Sequence, residues 1–233
     1  MGLLTCERFA EAGAKVIGLD RQADENGQLA LAYQERGLDI SFALLDVADP
    51  ESIEKFGGSL AKTLGYIDIL VNNAGTLSFS PVMQTTLAEW ERVQNVNCRS
   101  AFLMMKAVGP IMGGKGVILN MSSSAALAPT AFSAAYSVAK MGVVTLSKIA
   151  ALEMGPGVRV IAVCPGPLDT QMPHNYLKGH PKEKEIMSQM IDRTIVKRLG
   201  QPSEIADLLF FLAGEKSGFI TGTVISADGG FIG

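Results

Sequence analysis

The sequence is poor in the residues that build metal sites and disulfide frameworks. Of its 233 residues only three are cysteine and two histidine. Cys6, Cys98 and Cys164 form no Cys-x-x-Cys pair, and their odd number at unrelated spacings suits reduced thiols rather than a secreted disulfide scaffold. His174 and His180 sit in a polar, proline-flanked stretch, too little material for a structural zinc site, so no metal is expected. Charge is scarce too: 18% of residues are Asp, Glu, Lys or Arg, and the net charge is -3, which gives no attraction to nucleic acid or to an anionic membrane. No uninterrupted apolar run of membrane-spanning length appears, nor a basic start followed by an apolar stretch, and the expectation is a soluble, cytoplasmic protein. No repeat or low-complexity linker divides the chain, and residues 1–233 read as a single domain.

What is abundant is apolar sequence, 48% of the chain. It falls into short β-branched runs at 15–20, 40–45, 67–72, 116–121, 158–163 and 223–227, separated by helical patterns. Such alternation predicts parallel strands joined by crossover helices, an α/β doubly wound sheet. Helix starts are marked at Asp49-Pro50, at Thr86 with Glu89 three residues on, and at Pro202-Ser203. Leu3 to Ala12 reads as an amphipathic helix closed by Gly13.

The chemistry concentrates between Asn120 and Lys140. Tyr136 and Lys140, four apart, share one helix face, and a nearby ammonium favours the phenolate, which makes the pair a candidate proton-transfer device. The strand 116–121 runs into Ser122, Ser123 and Ser124, placing hydroxyls at the carboxyl edge of the sheet, where open α/β folds bind ligands. Asp20 closes the strand after the first helix, eighteen residues beyond Gly2, near the spacing at which a carboxylate meets ribose hydroxyls in dinucleotide sites. A carboxylate there repels a 2'-phosphate and favours NAD over NADP, while the adjacent Arg21 leaves NADP open.

The combination resembles the short-chain dehydrogenase/reductase family, whose Tyr-x-x-x-Lys pair is preceded by a serine thirteen residues before the tyrosine. Counting back from Tyr136 gives Ser123, with Ser122 and Ser124 as alternatives. The resemblance implies a Rossmann fold and hydride exchange between a nicotinamide cofactor and a secondary alcohol or ketone. It makes Asn97, Ser123, Tyr136 and Lys140 the catalytic set, with Asn97 holding a water beside the lysine. Asp46 and Val47 would contact the adenine edge, and Asn73, Ala74 and Gly75 would pass close to the adenosine ribose. Pro165 and Gly166 would lie under the nicotinamide, with Leu168 and Thr170 at its carboxamide. Cys164 stands where relatives often have Asn. The family's glycine fingerprint comes directly before the first helix; only Gly2 matches it here, so the expected sheet is truncated at its amino end and lacks one strand. Residues 171–198, with Met172, Tyr176, Met187 and Met190, are expected to form a substrate lid, or else a surface excursion. Family members are dimers or tetramers. Two rival readings are a sugar-nucleotide epimerase, for whose extra lobe the chain leaves little room, and a catalytically silent dinucleotide sensor.

Overall fold

The computed structural model describes residues 1–22, 24, 27–179 and 181–231; His180 lies outside the described residues. Six strands alternate with helices, and each strand forms where an apolar run was read. In order they are β1 Val16–Asp20, β2 Ile40–Leu44, β3 Ile69–Asn72, β4 Gly116–Met121, β5 Val158–Pro165 and β6 Val224–Ala227. The helices are α1 Gly2–Glu11, α2 Gln28–Glu35, α3 Pro50–Thr63, α4 Leu87–Gln94, α5 Ser100–Val108, α6 Ser124–Leu127, α7 Ala134–Met154, α8 Gln171–Leu177, α9 Glu183–Asp192 and α10 Pro202–Ala213. α1 ends at Ala12, and Gly13 turns the chain at φ 87°, a backbone that side chains avoid.

All pairings are parallel, but the sheet comes in two pieces, β1-β2 and β3-β4-β5-β6. In β1, the Val16 amide donates to Asp39 and the Asp20 carbonyl accepts from Leu45, so the backbone groups of Ile17 and Leu19 point away from β2, to the seam. The cost shows in burial. β4 and β5 are sealed almost throughout, whereas β1 and β3 each have one buried residue. Side chains bridge the seam: Ile17 and Leu19 share a cluster with Leu70 and Ile118.

The core has two layers because alternate residues of a strand face opposite sides. Ile118, Val158 and Val160 pack with Ile53 and Leu60 of α3 and Met104, Met105 and Val108 of α5. Val117, Leu119, Met121, Ile161 and Val163 pack with Phe9 of α1 and Ile205, Leu209 and Leu212 of α10. Each such fully buried aliphatic side chain contributes roughly 1.5–3 kcal/mol.

Caps define the helix starts. The Asp49 carboxylate accepts from the Glu51 amide and the Thr86 hydroxyl from the Glu89 amide. At α10, Glu204 reaches back to the Gln201 amide at 2.7 Å, so the capping box begins one residue before the Pro202-Ser203 start. α7, with mean hydropathy 1.2 over an 18-residue window, has the length and composition to cross a membrane. It instead lies along β4 and β5, burying Val143, Val144 and Ala150, and behaves as a core helix. The 171–198 stretch is two short helices, α8 and α9, and in the charge run at the start of α9 the side chains of Lys182, Lys184 and Glu185 are exposed.

Candidate active site

Most of the expected cofactor residues lie at or just beyond the carboxyl end of a strand, while Gly2, Asn97, Tyr136 and Lys140 come from helical segments. Asp20 is the last residue of β1, with Arg21 exposed beside it. Asp46 and Val47 follow β2, and Asn73, Ala74 and Gly75 follow β3. The serines follow β4, and Pro165 ends β5 with Gly166 after it. Leu168 makes an isolated parallel bridge to Gly200, and Thr170 sits at the start of α8. Gly2 opens α1 against Asn73, where a Cβ would come within 3.1 Å of Asn73 Nδ2.

Tyr136 and Lys140 lie one turn apart on α7, with the Lys140 Nζ 5.9 Å from the Tyr136 ring centroid. That ammonium donates to the Met121 carbonyl at the end of β4, at 2.8 Å. Lys140 is 3% exposed, and burial pulls its pKa down to about 8, partly opposed by the neighbouring Cys164 and Cys98 thiols. The sequence reading has Lys140 lowering the Tyr136 pKa; on balance burial pushes the phenol above its ordinary value, the nearby Ser123 hydroxyl opposes this, and Cys164 adds to it.

The structure separates the three serines. Ser122 Oγ donates to the Lys140 carbonyl at 2.7 Å and is buried, so it ties β4 to α7. Ser124 begins α6 and is also buried. Ser123 caps α6, accepting from the Ala125 amide at 3.1 Å, and its hydroxyl lies near enough to the Tyr136 phenol to oppose the rise of its pKa. Ser123 and Tyr136 therefore share one crevice. Cys164 is fully buried and its thiol is pushed up by that burial, which keeps it protonated and no nucleophile.

Asn97 sits in a π-helical turn, Asn95–Arg99, between α4 and α5. The wider turn lets its side chain bridge: Nδ2 donates to the Thr76 and Val93 carbonyls, each at 3.0 Å, and Oδ1 accepts from the Thr76 amide at 3.1 Å. Its amide is thus engaged with the segment after β3. Gly75 is required there, since a Cβ would stand 3.0 Å from Asn97 Oδ1 and 3.4 Å from Lys140 Nζ. A buried polar ladder also supports the site. Asn72 donates to Asn120 at 2.7 Å, and Asn120 donates to Ser147 of α7 at 2.9 Å. Ser147 carried no motif signal; only a small polar residue in an apolar helix face marked it.

The residues fit a nicotinamide nucleotide. Asn73 Oδ1 is buried without a partner at the head of the crevice. The Asp20 carboxylate is exposed and accepts only a local bond from the Gln22 amide. Asp46 is turned to the Ala48 amide at 2.8 Å, which shapes its own loop, and Val47 packs into the core. Gly166 lets the end of β5 pack closely on the turn after β6, for a Cβ would lie 2.6 Å from the Asp228 Cα. Among the described residues no three of His, Cys, Asp and Glu gather to hold a metal ion.

A family model described as enoyl-(acyl carrier protein) reductase matches residues 1–232. An uncharacterized oxidoreductase of Thermotoga maritima is 35% identical over 226 residues, covering 95% of this chain and 89% of the relative. D-threitol dehydrogenase of Mycolicibacterium smegmatis is 35% identical over 237 residues, covering 99% and 88%. The crystal structure of L-sorbose reductase from Gluconobacter frateurii, complexed with NADPH and L-sorbose, superposes with TM-score 0.89 at 28% identity, covering 99% of this chain and 92% of that one. With the crevice geometry these matches identify the chain as a member of the short-chain dehydrogenase/reductase family, oxidoreductases that interconvert alcohols and ketones.

Proposed function

We propose that this protein is an NAD-linked dehydrogenase of secondary alcohols in which Tyr136 handles the hydroxyl proton and Ser123 holds the reacting oxygen. The observation that carries this reading is the approach of half-buried Ser123 to half-buried Tyr136, one helical turn from buried Lys140. When bound, the nicotinamide nucleotide supplies the hydride chemistry: alcohol and oxidised cofactor give ketone, reduced cofactor and one proton. In oxidation the Tyr136 Oη takes the hydroxyl proton as the carbinol C–H bond breaks, and in reduction it returns it. Ser123 donates to the same oxygen as charge develops on it.

Lys140 is anchored by Met121, and its remaining protons are placed for ribose hydroxyls. Asn97 acts through Gly75 and Thr76, fixing the wall of the ribose site. Asp20 accepts from the adenosine 2'-hydroxyl, which favours NAD over NADP, with Arg21 the residue that would permit the phosphate. Val47 and Asp46 flank the adenine, Gly2, Asn73 and Ala74 the middle of the nucleotide, and Pro165, Gly166, Leu168 and Thr170 the nicotinamide. α8 and α9 cover the substrate side as a lid. The exposed apolar Phe102 on α5 and Val138 and Met141 on α7 are where a dimer or tetramer would close. Three free thiols suit a reducing, cytoplasmic compartment.

The test is nicotinamide reduction followed by absorbance over a panel of secondary alcohols, in wild type and Tyr136→Phe. Proton transfer by a placed group contributes about 10²–10⁴-fold, so the variant should lose at least ~100-fold in kcat. Turnover within about threefold of wild type would remove Tyr136 from the mechanism.

A further inference from the structure

An aromatic wall stands beside the Tyr136 ring, and it is tied together at one residue. Phe79, in the segment between β3 and α4, holds its ring centroid 6.5 Å from that of Tyr136. The Tyr176 ring of α8 meets Phe79 edge-on at 5.2 Å. The main chain makes the same connections. Tyr176 Oη donates to the Phe79 carbonyl at 3.0 Å, and the next amide, Ser80, donates to the Phe132 carbonyl at 2.7 Å. Phe79 and Ser80 thus fasten together α8, their own segment and the loop between α6 and α7.

That loop carries a mark of constraint. Phe132 adopts φ 69°, a left-handed backbone rare for a bulky residue, four positions before Tyr136. It is held there by the Ser80 bond and by Ser133 Oγ donating to the Thr130 carbonyl at 2.6 Å. The rings are not sealed away: Phe79 is half-buried and Tyr176 is 45% exposed, so ring surface remains for a ligand.

Several polar side chains on these segments already have partners. The Tyr176 hydroxyl is used by Phe79, His174 pairs with Asp169 at 3.0 Å, and Arg92 is bound by Glu89, Thr76 and the Leu77 carbonyl. Beside Ser123 and Tyr136, the partly exposed Phe79 and Tyr176 rings present apolar surface on this wall. A substrate hydroxyl turned toward it would give up water and gain nothing, at roughly tenfold in affinity for each. An apolar ring would instead gain buried area and edge-to-face contact.

We infer, on the alcohol dehydrogenase reading above, that the preferred substrates are secondary alcohols bearing an apolar ring on the carbinol carbon, packed against Phe79, with Tyr176 determining specificity by latching α8 over it. In the oxidation of such an alcohol the carbinol carbon gives its hydride to the nicotinamide nucleotide. The hydroxyl proton passes to Tyr136 and on to solvent, leaving an aryl or cycloalkyl ketone, the reduced nucleotide and one proton.

The experiment measures equilibrium binding by calorimetry, using acetophenone and acetoin with the nucleotide-saturated protein, alongside turnover of 1-phenylethanol and 2,3-butanediol. Acetophenone should bind at least ~10-fold more tightly than acetoin. Phe79→Leu and Phe79→Ala should each shrink that gap to about threefold or less, acting far more on the aryl ligand. Tyr176→Phe keeps the ring and removes the latch, so it should raise KM for 1-phenylethanol by about 5- to 10-fold with kcat within about twofold. Circular dichroism and melting of each variant separate misfolding from lost contact, and Tyr176→Phe, which deletes one oxygen, is the variant least exposed to it. Equal binding of the two ketones, binding of neither, or Phe79 variants that weaken both alike would overturn the ring pocket. If acetophenone wins as expected but 1-phenylethanol turnover is the same in Tyr136→Phe, the ring pocket stands and the catalytic reading falls.

Discussion

Lys140 sets function against stability, and the opposition can be measured. Its ammonium is buried in the fold, and its pKa falls from the ordinary 10.5 to about 8. That difference corresponds to ~3 kcal/mol of penalty on the charged form. The unfolded chain holds the lysine proton up to 10.5, the folded chain only to about 8. Between those values the unfolded state carries more protons, so wild-type stability from this residue rises with pH; below about 8 the penalty is fully present. Lys140→Met keeps most of the stem and removes the charge, but also removes the hydrogen bond to the Met121 carbonyl, worth ~1 kcal/mol. The variant should therefore be more stable than wild type by ~2 kcal/mol near neutral pH, or ~4–8 °C in Tm. Above about pH 10.5 the sign reverses, and the variant should be less stable by ~1 kcal/mol. The assay is urea unfolding of both proteins across that pH range, with activity measured in parallel and expected to vanish in the variant. A variant less stable than wild type by a constant amount at every pH would refute the reasoning.

On the proposed mechanism the Tyr136 phenol is the base in alcohol oxidation, and since burial raises its pKa, kcat/KM for oxidation should keep climbing through about pH 9; a plateau at neutral pH would contradict this. Ser123→Ala should lower kcat by ~100-fold or more with the Tm little changed, whereas Ser122→Ala, which cuts the tie to Lys140, should cost ~1–2 kcal/mol in stability by chemical denaturation. Asn120→Leu leaves Asn72 and Ser147 without their partner and should destabilise the fold by ~2–3 kcal/mol, read from its denaturation midpoint. Asp20→Ser should shift the ratio of kcat/KM values toward NADP by ~10-fold, and an unchanged ratio would take Asp20 out of the cofactor site.

Much of the scaffold was legible because it is written in local pattern. The β-branched runs became the six strands, with ends moved by two residues or fewer, since buried parallel strands demand continuous apolar sequence. The Tyr136–Lys140 spacing survived because helix geometry alone fixes it. What stayed hidden depends on tertiary environment. The rise of the Tyr136 pKa comes from burial by distant segments, and Lys140 turns to Met121, nineteen residues away. The π turn that carries Asn97 cannot be read from periodicity. The Tyr176–Phe79 bond joins residues 97 apart, and neither belongs to a motif. The division of residues 171–198 into α8 and α9 escaped because one turn of buried anchoring, at Leu177, gives too short a signal for a hydrophobic period.

Hydride transfer at a carbinol carbon under Tyr136 is the centre of this account, and isotopic labelling reaches it directly. The alcohol is deuterated at the carbinol carbon, incubated with NAD and the protein, and the reduced nucleotide is weighed by mass spectrometry. One deuterium should appear in every reduced nucleotide formed, in step with the ketone, and both products should fall together in Tyr136→Phe. Reduced nucleotide without the label, or ketone formed with no reduced nucleotide, would contradict it.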